Sequence, residues 1–305
     1  LSRRPRATYD RRMPADSPSS PNVRPRIIVL GAGDKPEVQA GAAAIRELVE
    51  RHADIVLWDL AARADLADVD ADWVMVLGGD GSILRAAAQM GYRQRPVLGV
   101  NLGRLGFLAD IARDELPAVL PELCRGPLKV VEHLMFECSL VRGGATLWTA
   151  LGLNETAVLS GPPFVILDVD LYVDGEWVTS YSADGLIVST PVGSTAHSLS
   201  AGGPILRQDL SALVICPISP HTLTMRPVVD SAERTYELLV PSPNSGTHVV
   251  VDGRSKGVLV AGDRLRIRRA APKFLLIEAP RHSYYRTLRK KLGWGGRIRP
   301  AGDAP

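Results

Sequence analysis

Residues 73–87 read WVMVLGGDGSILRAA. The first five are apolar and of strand length, which suits a buried strand. Gly78, Gly79 and Gly81 follow, with Asp80 set among them. From Ser82 to Gly91 the chain (SILRAAAQMG) is rich in strong helix formers and closes on glycine. A strand that turns through glycines into a helix is the building unit of an α/β domain. The same alternation extends on both sides. RIIVLG (26–31) reads as a strand ended by glycine, and Val38, Ala42, Ile45 and Leu48 then recur at helical spacing. IVLWDL (55–60) and VLGVN (97–101) are further apolar runs of strand length. Residues 26–124 are therefore predicted to form an α/β domain with a largely parallel sheet.

Near residue 125 the pattern changes. VVEHLMFECSLV (130–141), the Gly143–Gly144 turn and TLWTALGLNETAVL (146–159) read as paired strands. Val165, Leu167, Val169, Leu171 and Val173 alternate with a set containing Asp168, Asp170 and Asp174, a period of two with one face buried. Asp174–Gly175 is a hairpin turn signal. WVTSY, GLIVST, LVICPI, TYELLV, HVVVDG and KGVLVAG continue as strands. Residues 125–280 are expected to be a β-rich, antiparallel domain. SYYRTLRKKLGW then reads as a final helix within 281–305.

The 305 residues include 46% hydrophobic and 23% charged side chains, which excludes disorder of the whole chain and allows two domains. Three cysteines without a CxxC pair exclude a disulfide scaffold and a zinc ribbon, and suit a reducing, cytoplasmic setting. No apolar run is long enough to span a membrane. The arginine-rich start has no apolar stretch and is not expected to be a secretory signal. Residues 1–25 hold six Arg, two Asp and five Pro. They are expected to form a disordered basic tail. The remainder is nearly neutral, so no nucleic-acid footprint covers it.

Three stretches carry candidate chemistry. In GGDGS (78–82) the glycines let the backbone approach a ligand, and the helix start offers free N–H groups that suit phosphate. Asp80 stands at the carboxyl end of a strand, where open α/β sheets bind ligands. A bare strand–helix turn would have no need of a carboxylate there. No Lys follows, so this is not a Walker A loop, and it is not GxGxxG. Asn154 offers a donor and an acceptor, matching a base edge, and Glu155 accepts two bonds, matching a ribose diol. The same pair also suits a plain strand edge. Residues 182–205 are dense in hydroxyls and glycine around Asp184, and Gly193-Ser194-Thr195 reads as a short helix start whose hydroxyls and amides suit an anion. Gly253-Arg254-Ser255-Lys256-Gly257 matches the GxSxG pattern of hydrolases. Strand-like residues flank it on both sides, so it reads as a hairpin turn. His221, in ISPHT, suits a ligand contact, but reads more readily as a structural histidine.

Taken together, GGDGS (78–82), LNE (153–155) and ADGLIVSTPVGSTAHSLSAGGPI (183–205) resemble the NAD kinases, which use ATP or polyphosphate. SPHTLTMRPVV (219–229), VVDGR (250–254) and YYRTLRKKLGWG (284–295) also fit. The resemblance spans roughly residues 26–295. It implies phosphorylation of the 2′-hydroxyl of the adenosine ribose of NAD, a β-rich NAD-binding second domain, and a last helix returning to the first domain. It also implies a homodimer or homotetramer, with no nucleic-acid or membrane partner.

The resemblance implies roles residue by residue. Asp80 is the proton acceptor. Asp80, Gly81, Asn154, Glu155, Asp184, Thr195, Ala196, His197, Ser198, Leu199 and Ser200 contact NAD, and Arg85 and Arg254 touch substrate in some members. Gly78, Gly79, Gly81 and Ser82 are expected to hold donor phosphates. Mg²⁺ is expected as the divalent ion, held by phosphates and water, with no protein metal ligand. Ser82 and Val192 stand where the family commonly has Thr, His197 where Tyr is common, and Arg254 where Gln is frequent. Two other classes share single features. A lipid kinase shares the GGDG loop, and a non-catalytic NAD(H)-binding sensor would need no acid at position 80.

Overall fold

The computed structural model describes residues 8–9, 24–33, 36–66, 68–103, 106–280 and 284–293. Most of the basic tail lies outside these residues. Within it, Thr8–Tyr9 pairs antiparallel with Leu128–Lys129. Arg24 is fixed to Asp54 at 3.1 Å and donates to the Ala53 carbonyl at 2.7 Å.

The chain divides into two compact units. The first comprises residues 1–89, 95–131 and 275–305, the second 90–94 and 132–274. In the first unit, Val97–Asn101, Trp73–Leu77, Arg26–Gly31 and Asp54–Asp59 lie side by side in that order, all parallel. Leu276, near the end of the strand Arg264–Ile277, joins Val97 in parallel. Every residue of Trp73–Leu77 and Val97–Asn101 is buried, as a sheet covered on both faces requires. Helix Pro36–Glu50 buries Val38, Ile45 and Val49 in the same cluster as Trp73, Met75 and Leu98. Helix Leu116–Arg125 adds Leu116 and Leu120. That helix contains Pro117 and Pro121, which hide it from a propensity reading. Its stripe of buried Leu116, Leu120, Leu123 and Cys124 offsets the backbone bond that Pro121 removes.

The second unit is antiparallel throughout. One sheet runs Val228–Ser231, Ala212–Ile218, Gly185–Ser189, Glu155–Leu159, His248–Val251, Arg254–Val258. The other places Leu167–Val173 between Glu176–Ala183 and Tyr236–Leu239. Val158, Leu186, Val188, Leu213 and Ile215 share a core with Leu167, Val169, Leu171, Tyr236 and Leu238. The intervening residues Ala157, Ile187, Val214 and Cys216 face the other way and pack with Leu206. The expected alternation holds from Leu167 onward. Val165 precedes the strand and is 48% exposed. Asp174 and Gly175 both take positive φ, 51° and 86°, which is the turn a two-residue hairpin needs.

Candidate active site

Strand Trp73–Leu77 delivers the chain into the glycine loop. Gly78 has φ of 136°, and a Cβ there would meet the Ser82 hydroxyl at 2.3 Å. Only glycine fits that corner. Helix Asp80–Met90 begins at the candidate acid itself. Gly79 and Gly81 have open space where a side chain would stand. The Gly78 amide donates to the Val100 carbonyl and the Ser82 amide to the Gly79 carbonyl, each at 2.9 Å, so the amides of Gly79, Asp80 and Gly81 are the ones this helix start leaves for an anion.

The Asp80 carboxylate is held by a segment that no sequence motif marked. Oδ2 accepts the Phe107 amide at 2.7 Å, and Oδ1 accepts the amides of Leu108 at 2.9 Å and Ala109 at 3.0 Å. Asn101, at the end of its strand, folds that loop. Its side chain donates to the Ala109 carbonyl at 3.3 Å and accepts the Gly103 amide at 2.7 Å. A carboxylate offers about four lone-pair directions. Three are taken, and one on Oδ2 is left. Ser82 is buried and its hydroxyl is unpartnered beneath Gly78, so it lines the loop from inside. Arg85 lies five residues on, about 140° around the helix from Asp80.

In the second unit, Asn154 and Glu155 open the strand Glu155–Leu159. Their backbone is framed by Asp252, a residue the sequence reading passed over. Its carboxylate accepts the amides of Leu153 at 2.8 Å, Asn154 at 2.8 Å and Glu155 at 3.2 Å. Asp252 returns its own amide to the Glu155 carbonyl at 2.9 Å. Burial raises the Asp252 pKa against the lowering effect of those amides. Glu155 is itself buried, and its Oε2 has no partner. Burial first, and then the nearby Asp252 charge, push its carboxyl up to about 8.

Residues 190–206 pack beside this corner. The Thr190 hydroxyl donates to the Leu153 carbonyl at 2.6 Å, and the Thr190 amide donates to the Asn154 carbonyl at 2.8 Å. A Cβ on Gly193 would stand 2.1 Å from the Asn154 carbonyl oxygen. Gly193–Thr195 forms a 3₁₀ turn and His197–Ser200 a short helix. The expected anion cradle at 193–195 is corrected here. Ser194 donates to the Pro191 carbonyl at 2.6 Å and Thr195 to that of Val192 at 3.0 Å. The amides of Ser194, Thr195 and Ala196 are bonded to Thr190, Val192 and Gly193. This turn has spent its donors on itself. His197 and Ser200 are exposed, Thr195, Ala196 and Leu199 are half-buried, and Ser198 is fully buried against Gly203.

Arg254 is exposed and starts the hairpin strand two residues after Asp252. The GxSxG stretch is thus a hairpin, as its flanks predicted. Asp184 is set apart from Asn154 and Glu155. It precedes Gly185, which pairs with Leu159, whereas Glu155 pairs with Ser189. Five residues separate Asp184 from that corner, roughly 17 Å along an extended strand. His221 Nε2 lies 3.9 Å from Asp184 Oδ1.

Comparison with known proteins decides what these frames belong to. Residues 32–127 match the ATP-NAD kinase N-terminal domain, and residues 153–279 match the ATP-NAD kinase C-terminal domain. An NAD kinase of Rhodopirellula baltica is 53% identical over 274 residues, covering 90% of this chain and 88% of that one. The chain belongs to the NAD kinase family. An NAD kinase of Geotalea daltonii is 41% identical over 257 residues, 84% of this chain and 90% of that one. Among solved structures, yeast NADH kinase complexed with NADH shares the fold. Its TM-score is 0.82 at 22% identity, over 92% of this chain and 90% of that one. An Archaeoglobus fulgidus NAD kinase in complex with ATP has a TM-score of 0.72 at 29% identity, over 89% of this chain and all of that one. As an NAD kinase family member the chain is an enzyme, and its activity is ATP-dependent phosphorylation of NAD to NADP. The lipid-kinase and sensor readings fall away. Asp80 lies within the N-terminal match, and Asn154, Glu155, Asp184, Asp252 and Arg254 within the C-terminal one. Neither match reaches helix Tyr284–Leu292.

Proposed function

We propose that Asp80 is the proton acceptor for the 2′-hydroxyl of the adenosine ribose of NAD, and that Asn154 and Glu155 hold the NAD. The observation that supports it most is the carboxylate gripped by three backbone amides with one lone pair left. That grip fixes the direction of the remaining lone pair. A carboxylate is far too weak a base to ionise a sugar hydroxyl outright. Asp80 therefore orients the hydroxyl and receives its proton as the new bond forms. The 2′-oxygen bonds to the γ-phosphorus of ATP, the bond from that phosphorus to the β–γ bridging oxygen breaks, and ADP leaves. Phosphoryl transfer is mostly positioning and charge neutralisation, and the held carboxylate and the open helix start at Gly79 and Gly81 supply parts of each.

A Mg²⁺ ion would be held through the phosphates of ATP and water, as suits an ion that keeps much of its water. When bound, the ion offsets phosphate charge. Gly79 and Gly81 offer amides to the donor phosphates, whereas Gly78 and Ser82, whose amides are bonded to the Val100 and Gly79 carbonyls, shape the loop instead of holding phosphate. Thr195–Ser200, Asp184 and Arg254 are the further NAD contacts, and Arg85 is a further substrate contact.

The three cysteines are free and buried, which suits the cytoplasm as location, and no helix among the described residues is long and apolar enough to cross a membrane. Exposed Phe164, Ile166, Trp177 and Leu223 support a homodimer or homotetramer. The assay for this reading is NADP formation from NAD, ATP and Mg²⁺, read with an NADP-specific dehydrogenase. Alanine at Asn154 should raise KM for NAD and leave KM for ATP unchanged. An unchanged KM for NAD would remove Asn154 from the site.

A further inference from the structure

The last helix, Tyr284–Leu292, carries Arg286, Arg289, Lys290 and Lys291 and no acid. It is anchored by buried Thr287 and Leu288. In its final turn, the Lys291 ammonium stands 4.7 Å from the centroid of the Phe107 ring. Phe107 is the residue whose amide donates to Asp80 Oδ2 at 2.7 Å. One residue thus links an exposed cation to the carboxylate that holds the reacting hydroxyl. Among the described residues no carboxylate lies within ion-pair distance of Lys291.

The triphosphate of ATP carries about four negative charges near neutral pH, more than one divalent ion offsets, and phosphoryl transfer depends on neutralising them. The glycine loop supplies amides but no cationic side chain. A lysine is a compact point charge on a flexible stem, suited to meeting a moving phosphate. A cation over a ring at an exposed site is held weakly, so Lys291 can leave Phe107 for a stronger partner. We propose that Lys291 is a donor-binding residue, which rests over Phe107 in the free enzyme and contacts the phosphates of ATP in the loaded one. This rests on reading Asp80 as the proton acceptor.

The test uses the full-length enzyme with K291M, K291R and F107L, measuring kcat and KM for ATP and for NAD separately. Losing a charge-assisted bond to phosphate should raise KM for ATP about 10- to 100-fold in K291M. KM for NAD should stay within about twofold, and K291R should recover most of the ATP affinity. Lys291 is exposed, so its replacement leaves the core intact. An unchanged KM for ATP in K291M overturns the proposal. So does a fall in kcat with both KM values unchanged and shared by F107L, because Lys291 would then only brace the loop. The underlying reading fails differently, through an active D80N enzyme.

Discussion

A Cβ built on Gly106 would stand 2.1 Å from Asp80 Oδ1 and 3.0 Å from the Ala109 carbonyl oxygen. The loop can wrap the carboxylate with three amides because this one position carries no side chain. The fixed direction of the remaining lone pair on Asp80 depends on that absence.

Gly106→Ala should therefore push Asp80 off its donors without unfolding the domain. A misplacement of the reacting group near 1 Å costs about 100-fold in rate, so kcat should fall at least tenfold. KM for NAD should change little. Gly103→Ala is the control, since a Cβ there meets nothing within 4 Å. Steady-state kinetics of both variants, with their melting temperatures, make the comparison. Equal kcat in the two would mean the loop does not position Asp80.

Asp252→Ala should damage stability and NAD affinity together. It leaves the amides of Leu153, Asn154 and Glu155 without their acceptor in a buried turn. Unsatisfied buried groups cost about 1–3 kcal/mol each, and the three are not independent. A loss of roughly 3 kcal/mol is expected. Urea unfolding and calorimetric titration with NAD measure the two effects. A stability loss with undiminished NAD affinity would separate Asp252 from the site.

Much of this was legible in the sequence, and the gaps have physical causes. Trp73–Ala87 announced strand, loop and helix because each segment follows its own local rule. The alternation from Leu167 to Val173 gave both strand and buried face. The partners of Asp80 were hidden, because Phe107, Leu108 and Ala109 act through backbone amides, which leave no side-chain signature. Asp252 stood inside a quoted motif, yet its partners lie nearly a hundred residues upstream. Ser194 shows the opposite error. A small hydroxyl in a glycine-rich stretch suggests a ligand site, but this one is buried and bonds the turn itself. Helix Leu116–Arg125 was obscured by its prolines. The long strand Arg264–Ile277 was missed because its arginines mask an alternation of buried Leu265 and Ile267.

Glu155 predicts a pH dependence of stability. Burial raises its carboxyl from 4.5 to about 8 in the folded chain. Below 4.5 the group is protonated both folded and unfolded, and its contribution to stability is fully present. As pH rises toward 8, the unfolded chain loses the proton first, so that contribution is lost progressively. Glu155→Gln cannot ionise. Its stability relative to the unaltered enzyme should therefore increase between pH 4.5 and 8. Urea unfolding of both at several pH values reads the difference. A constant difference across that range would place the Glu155 titration elsewhere.

The most direct test of the central claim is Asp80→Asn, with turnover and NAD affinity measured on the same preparation. The amide keeps the size of the side chain but cannot take the proton, and one of its two heads is a donor facing the loop amides. NADP formation should fall by at least two to three orders of magnitude, the usual scale for a lost proton acceptor, while calorimetry finds NAD bound within a few-fold of the unaltered affinity. Turnover near that of the unaltered enzyme, with NAD bound equally well, would contradict the assignment of Asp80 as proton acceptor.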